Sequence, residues 1–211
     1  MSRALGRLAN VAFEALYGPL VPIYDWVSRA GFAGEWARWQ RTVLQFVANG
    51  PVLEIGPGTG ELLPVLHAAG FQPCGVEFSA PMIARARRKW RARGMRAVPI
   101  VRGRAERLPF AGGTFGGVVA TFPSAYIFRP TTWEEIARVL RPGGDVAIVL
   151  GGELSPHGLG RRLRAMAYGL LYGGSLRDRL PPPPESSLDL RWEIVPTLHG
   201  RAILLVGRKA G

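Results

Sequence analysis

Apolar residues recur along this chain with two periods, one typical of helices and one typical of buried strands. In the first fifty residues the spacing is helical, with one segment ending at Gly18-Pro19 and a later one at Asn49-Gly50. From Pro51 onward, short apolar runs alternate with helical segments. We therefore predict an N-terminal helical cap, residues 1–50, followed by an α/β domain, residues 51–211.

The alternation in the second part predicts a layered sheet. Strands are expected at 52–55, 73–77, 97–101, 117–121 and 145–150, with helices ending near residue 69 and spanning 80–93, 131–140 and 157–173. Because strand–helix–strand connections pair strands in parallel through right-handed crossovers, the sheet should be doubly wound, with helices on both faces. After an extended proline linker, two alternating runs at 190–197 and 202–206 predict a closing antiparallel hairpin.

Composition narrows the class of protein. The chain has 211 residues, of which 47% are hydrophobic, so it can bury a core and is not a disordered chain. Its one cysteine, Cys74, excludes disulfide scaffolds and multi-cysteine zinc modules, so a cytoplasmic location and no metal site are expected. No segment is long and apolar enough to span a bilayer, and the N-terminus lacks the pattern of a signal peptide.

The net charge of +12 favours polyanionic partners, either nucleic acid or an acidic membrane surface. Arginines concentrate on the predicted helix 80–93. The predicted helix 157–173 carries arginines and tyrosines on one face and leucines on another, a pattern that suits a membrane interface. Both patterns also occur on ordinary solvent-exposed helices. Peripheral membrane contact and, less favoured, RNA binding therefore stay open.

The loop after the first predicted strand carries the clearest chemical signal, Gly56-Pro57-Gly58-Thr59-Gly60. Ligands of open α/β sheets bind beyond the carboxyl ends of the strands, and glycines let the backbone approach them closely. Glu77, which ends the second strand, can accept hydrogen bonds from both hydroxyls of a ribose. These features predict a nucleoside cofactor. The G-x-G-x-G spacing differs from the dinucleotide fingerprint, and no Gly-Lys-Ser/Thr ending of a P-loop follows.

The segment 52–60 closely resembles the first motif of the class I S-adenosylmethionine-dependent methyltransferases. Glu77 matches that family's ribose acid, residues 104–110 resemble the segment that closes over the adenine, and residues 135–144 resemble the helix and turn before the fifth strand. The resemblance covers about residues 52–150. It implies a Rossmann-like sheet of seven mostly parallel strands with an antiparallel terminal strand, and S-adenosylmethionine as cofactor with S-adenosylhomocysteine as product.

The resemblance also assigns roles to residues around the cofactor. Glu54 and the backbone near Gly56 and Gly58 would hold the methionine part, and Phe78 would lie against the adenine. Ala105 and Glu106 would bracket the adenine edge, and Thr121 would line the methyl-donating side. Tyr24-Asp25 resembles the pair that opens the quinone-biosynthesis and related lipid methyltransferases. The predicted cofactor residues are Tyr24, Glu54, Gly56, Pro57, Gly58, Gly60, Glu77, Phe78, Ala105, Glu106 and Thr121.

Two departures from the family pattern carry information. The fourth strand usually begins with an aspartate after an aromatic residue, whereas Phe115 is followed here by Gly116-Gly117. We expect altered local structure there without loss of the cofactor. Beyond that strand, Phe122-Pro123-Ser124 is not the Asn-Pro-Pro-Tyr type of signature found in enzymes that methylate amino groups of nucleic-acid bases, so base methylation is disfavoured.

The sequence favours in-line methyl transfer to a small apolar or lipid-like acceptor, such as a prenylated quinone precursor or a phospholipid amine. Residues 122–128, which include Ser124 and Tyr126, are expected to form an apolar pocket wall. Tyr126, His157 and His199 are candidate general bases, although each can equally be structural. Two alternatives remain, an RNA methyltransferase and a catalytically silent cofactor-binding module. The acceptor atom and the oligomeric state are left open.

Overall fold

The computed structural model describes residues 34–48, 50–95, 98–155, 180 and 182–211. The helices are α1 (Glu35–Arg41), α2 (Leu62–Ala68), α3 (Ala80–Ala92) and α4 (Pro130–Val139). The strands are β1 (Pro51–Ile55), β2 (Gln72–Glu77), β3 (Ile100–Arg102), β4 (Phe115–Thr121), β5 (Leu140–Leu154), β6 (Leu188–Thr197) and β7 (Gly200–Lys209). Tyr24, His157 and the predicted helix 157–173 lie outside the described residues.

The strands form one seven-stranded sheet in the order β3-β2-β1-β4-β5-β7-β6. Strands β1 to β5 pair in parallel, and β7 is antiparallel to both of its neighbours, β5 and β6. This arrangement confirms the predicted fold class. The strand order reverses between β1 and β4, so the loops that follow these two strands open on the same crevice at the carboxyl edge.

Alternate residues of the central strands enter two separate cores on opposite faces of the sheet. On one face Val52 packs with Trp39 of α1 and Leu66 of α2. On the other face Leu53 packs with Trp133 of α4. Because both faces of the central strands are covered, their apolar runs are nearly continuous, which is the sequence pattern that indicates a parallel sheet.

The cap segment packs directly on the sheet through α1. Trp39 is almost fully buried, and a Cβ added at Gly152 of β5 would lie 2.3 Å from its ring. The glycine therefore makes room for the indole. The predicted second cap helix is shorter than expected, since α1 ends at Arg41 and a 3-10 turn, Thr42–Gln45, follows.

The start of β4 departs from regular pairing at the predicted place. Phe115 pairs with Leu140, but Gly117 pairs with Asp145, so the intervening residues of β5 loop out. A Cβ added at Gly117 would lie 3.2 Å from the Val47 side chain, tighter than an ordinary contact. The second glycine of this strand therefore lets the cap segment approach the sheet.

Candidate functional site

The glycine loop after β1 folds back onto the end of β2. The Gly56 N–H donates to the Val76 carbonyl at 2.8 Å, and the Gly58 N–H donates to Glu77 Oε2 at 3.0 Å. Gly56, Gly58 and Gly60 all have φ between 55° and 69°, in the left-handed region that favours glycine. The loop is thus held in one conformation at the crevice edge.

Two aromatic side chains press against this loop. Trp90 of α3 donates its indole N–H to the Gly60 carbonyl at 3.0 Å, and a Cβ added at Gly60 would lie 2.6 Å from the Trp90 ring. A Cβ added at Gly56 would lie 2.7 Å from the Tyr126 hydroxyl oxygen. A side chain at either glycine would therefore have to displace the loop or the aromatic side chain that it meets.

The structure describes two of the three candidate general bases and places them apart. The Tyr126 hydroxyl donates to the Ile55 carbonyl at 3.2 Å, directly under the glycine loop, so its proton is engaged in holding the end of β1. His199 lies in the β6–β7 turn, where its carbonyl accepts from the Ser155 N–H. Strands β4, β5 and β7 separate that turn from β1 in the sheet order. His157 is not among the described residues.

Glu54 is a buried acid, and one of its carboxyl oxygens has no hydrogen-bond partner among the described residues. Its side chain is 1% exposed, and within the described part of the chain its Oε2 atom has no hydrogen-bond partner. Burial, together with the nearby charge of Glu77, raises the pKa of Glu54 to about 8. A buried oxygen without a partner is costly, so this carboxyl group fits a cationic ligand group such as an ammonium.

Glu77 is positioned by the backbone of two loops. Its carboxylate accepts from the Gly58 N–H and, at 2.8 Å, from the Ser79 N–H. Burial raises its pKa, while hydrogen bonds from the backbone N–H groups of Ser79, Gly58 and Phe78 oppose that rise. Each carboxylate oxygen has more than one lone pair, so the group can still accept ligand hydroxyls.

Beyond Glu77 the crevice is bounded by Phe78 and the loop after β3. The Phe78 ring is 53% exposed, and the Arg104 guanidinium carbon lies 4.1 Å from its centroid. Ala105 is buried, and Glu106 forms an ion pair with Arg129. The sequence placed Arg104 in the segment over the adenine but gave individual roles only to the two residues after it, since nothing in the spacing shows where a long side chain will lie.

An ion pair between Glu135 and Arg138 of α4 holds this loop in place. The Leu108 N–H donates to Glu135 at 2.6 Å, and Arg138 donates to the Leu108 and Phe110 carbonyls at 3.0 and 2.7 Å. The hydrogen bond from Arg138 is the main cause that lowers the pKa of Glu135. The pair therefore stays ionised and tethers the loop. Both residues belong to the motif 135–144, but the sequence did not show that they would contact the loop after β3.

A cavity of about 660 Å³ lies between α1, the glycine loop, α2 and the residues that follow α3. Its lining includes Trp36 and Gln40 from α1, Thr121 from the end of β4, and residues 56–59 of the loop. Gln40 donates its amide N–H to the Thr121 hydroxyl at 3.1 Å. Helix α1 thus supplies one wall of this cavity, whose lining in the described part of the chain does not include residues 122–128; the apolar wall expected at 122–128 stays a prediction.

Phe122 supports the Trp36 side chain that lines the cavity. Its ring stacks on the Trp36 indole with centroids 3.7 Å apart and an interplanar angle of 19°. The residue has a φ of 51°, and among the described residues other than glycine it alone has a positive φ. This strained conformation turns the ring from the strand end onto the cap helix. Phe128, at the far end of the predicted wall, is 63% exposed.

Comparison with known proteins agrees with this geometry. Residues 52–144 match the family model described as a methyltransferase domain. The chain is 32% identical to a demethylmenaquinone methyltransferase of Thermus thermophilus over 79% of this chain and 74% of the relative. It is 42% identical to a phosphatidylethanolamine N-methyltransferase of Cereibacter sphaeroides over 48% of this chain and 50% of the relative.

Solved structures share the fold at low sequence identity. One is a Thermotoga maritima protein described as a SAM-dependent methyltransferase, possible histamine N-methyltransferase, with a TM-score of 0.61, 17% identity, and coverage of 93% of this chain and 99% of that one. Another is a Haemonchus contortus phosphoethanolamine N-methyltransferase in complex with S-adenosyl-L-methionine. Its TM-score is 0.65 at 15% identity, with 94% of this chain and 60% of that chain covered.

The fold, the glycine loop with its acid pair, and the relatives together define the class. The chain belongs to the class I S-adenosylmethionine-dependent methyltransferases and is an enzyme that uses S-adenosylmethionine as its methyl donor. Relatives in this class are named for quinone and phospholipid substrates. The helices that the structure describes include none of the length and apolarity that crossing a membrane requires.

Proposed function

We propose that this methyltransferase acts on a small apolar acceptor with a planar ring, of the quinol type, that carries a lipid-like tail. The cavity between Trp36 and the glycine loop is the observation that carries the proposal. The relative that is 32% identical to this chain and is named a demethylmenaquinone methyltransferase supports the same class of acceptor.

The residues of the crevice fit S-adenosylmethionine in one orientation. Glu54 would face the ammonium of the methionine part, and the backbone of Gly56, Pro57, Gly58 and Gly60 would surround that end. Glu77 would accept the ribose hydroxyls, and Phe78 would contact the adenine, with Ala105 and Glu106 at its edge. Thr121 would border the methyl-donating side. The cofactor would supply a methyl group on a cationic sulfur: the bond from the acceptor to the methyl carbon forms as the opposite carbon–sulfur bond breaks, and the sulfur leaves in S-adenosylhomocysteine.

The wall opposite the glycine loop suits a planar acceptor. The Trp36 indole is rigidly backed by Phe122 on one face, and Trp36 lines the cavity. Aromatic rings gain additional free energy from stacking beyond that of area burial. Gln40 and Thr121, already hydrogen-bonded to each other, are polar groups of the same cavity that can bind a ring hydroxyl. The protein's part in catalysis is then to fix the distance and angle of attack.

Replacing Trp36 with alanine is expected to raise the KM for the acceptor about 5- to 20-fold, which corresponds to about 1–2 kcal/mol of lost stacking and burial. The dissociation constant for S-adenosylhomocysteine should change less than about 3-fold, because, among the described residues, none of those proposed to hold the cofactor lies on α1. Initial rates at varied acceptor concentration measure the first quantity, and calorimetry measures the second.

Two variants serve as controls for Trp36. W36F retains an aromatic face and should keep most of the affinity. F128A removes an exposed ring and should leave the KM unchanged. If F128A raises the KM and W36A does not, the acceptor lies along residues 122–128, as the sequence predicted, and not against α1.

The acceptor class is tested with a labelled methyl group. The enzyme is incubated with isotopically labelled S-adenosylmethionine and, in separate reactions, a prenylated naphthoquinol in detergent, phosphatidylethanolamine vesicles, and total RNA. Label in the quinol is expected. Label only in phosphatidylethanolamine would support a phospholipid amine acceptor instead. The relative that is 42% identical to this chain is named for that substrate. Label only in RNA, or in no fraction, would contradict the proposal and favour one of the two alternatives.

A lipid-like acceptor implies contact with a membrane surface, and the outer face of α3 suits one. Arg88 and Arg91 are exposed on this helix, while Met82, Ile83 and Trp90 on its inner face are buried. Each arginine near an anionic surface contributes about 1 kcal/mol. We expect co-sedimentation with vesicles that contain phosphatidylglycerol at low salt, and at least about 10-fold weaker binding by the R88E/R91E double variant. Equal binding of the two proteins would contradict this contact.

A further inference from the structure

We propose that Arg104 closes the adenine end of the cofactor site by stacking on the purine, so that the base lies between the Phe78 ring and the Arg104 guanidinium. The inference rests on the proposed placement of the cofactor along Glu54 and Glu77. The resemblance placed the segment 104–110 over the adenine but gave the Arg104 side chain no role, and the present inference assigns it one.

The position of the base follows from the acid that precedes Phe78. A ribose whose hydroxyls are accepted by Glu77 carries its base on the adjacent carbon of the same ring. The exposed apolar surface next to this carboxylate is the Phe78 ring, which is 53% exposed. Nucleobases stack readily on aromatic side chains because every base has a flat π face.

The Arg104 guanidinium already occupies this surface, 4.1 Å from the ring centroid. A base that binds to this face of Phe78 must therefore either expel the guanidinium or slide beneath it. A planar guanidinium stacks on a purine as it does on a phenyl ring, and the purine offers the larger face. Sliding beneath retains a stacking contact for Arg104, whereas expulsion loses one. Insertion is thus the favoured outcome.

The backbone around Arg104 is held by neighbouring residues. The exposed Arg104 side chain can move away from the Phe78 ring by the thickness of one base. The Gly103 N–H donates to the Glu77 carbonyl at 3.1 Å, and Ala105 is buried. The Phe78 carbonyl in turn accepts from the Arg102 side chain at 3.3 Å. Both partners of the stack are therefore anchored close to the acid, and the long exposed side chain of Arg104 supplies the adjustment.

Calorimetric titration with S-adenosylhomocysteine tests the proposal. R104A is expected to bind about 5- to 30-fold more weakly than the wild type, since this range covers cation–π contacts from exposed to desolvated sites. R104K should fall between them, because an ammonium keeps the charge but loses the flat face. R107A is the matched control: it removes the same charge from an exposed position in the same loop and should stay within about 2-fold.

The outcomes separate stacking from other effects. Equal weakening by R104A and R107A would attribute the loss to net charge, and unchanged or tighter binding by R104A would mean that the base expels the guanidinium; either result overturns the proposal. Adenosine provides a second probe, because its inhibition constant should rise in R104A as much as that of the whole product. If wild-type protein binds neither S-adenosylmethionine nor S-adenosylhomocysteine, the proposed function itself fails.

Discussion

Replacing Glu77 with alanine is expected to weaken the binding of S-adenosylhomocysteine by at least about 100-fold. The substitution removes a carboxylate that is proposed to accept the ribose hydroxyls, and hydrogen bonds to charged groups contribute about 1.5–3 kcal/mol each. It also releases the Gly58 and Ser79 N–H groups, whose present acceptor is this carboxylate. The glycine loop would then lose its link to β2, so the effect on affinity should exceed that of the two ligand bonds alone. Calorimetry at constant salt measures it.

Two further variants make this result interpretable. E77Q keeps a carbonyl oxygen and the shape of the side chain, so it should fold like the wild type and still lose about 10-fold or more in affinity. E193A removes an acid from β6 that pairs with Arg191, and it should bind normally. A thermal melt of each protein separates lost binding from lost folding. Near wild-type affinity in both Glu77 variants would remove this residue from the cofactor site.

The fold could be predicted because its signal is local and repeated. Buried parallel strands such as β1 and β4 require near-continuous apolar runs, and the helices between them repeat at helical spacing. The closing hairpin was visible in the alternation of β6 and β7. Altered structure near Gly117 was expected from a missing aspartate, but its form, with residues of β5 looped out, could not be predicted from the strand's own residues.

In the candidate site, too, some residues could be predicted from the sequence and some contacts could not. Glu54, the glycine loop and Glu77 belong to short motifs whose backbone roles follow from position at strand ends. The contacts of Trp36 and Arg104 do not follow from position. The Trp36 ring stacks on that of Phe122, a residue distant in the sequence. The hydrogen bond from Gln40 to Thr121 likewise joins residues 81 positions apart. Such contacts depend on packing and side-chain direction, which a one-dimensional pattern does not contain.

Electrostatics explains why a chain of net charge +12 can hold a cationic cofactor. The overall field is repulsive, but it is screened within about 10 Å at ordinary salt. The acid pair Glu54 and Glu77 acts at short range in a buried setting where screening is weak. Burial and the neighbouring charge leave Glu54 largely protonated at neutral pH, with a pKa of about 8. The cation must therefore displace a proton, which makes binding dependent on pH.

Cofactor affinity is expected to rise with pH, by up to about 10-fold per unit, between roughly pH 5.5 and 7.5. In the free protein Glu54 carries its proton over this range, because its pKa is raised to about 8. In the complex the ammonium favours the carboxylate, so binding releases one proton, and higher pH favours release. The rise should end near pH 8, where free Glu54 is already ionised. An α-amino group titrates at about the same pH, so the measurement stays below 7.5.

Calorimetry in two buffers of different ionisation enthalpy counts the released proton directly. E54Q, which has no proton to lose, should show a flat pH profile and about 10-fold or more weaker binding at pH 7.5, while E193Q should keep the wild-type slope. A slope that persists in E54Q would assign the proton to Glu77, whose pKa is also raised by burial. A flat wild-type profile would show that binding releases no proton, which would contradict the proposed ionisation of Glu54 on binding the ammonium.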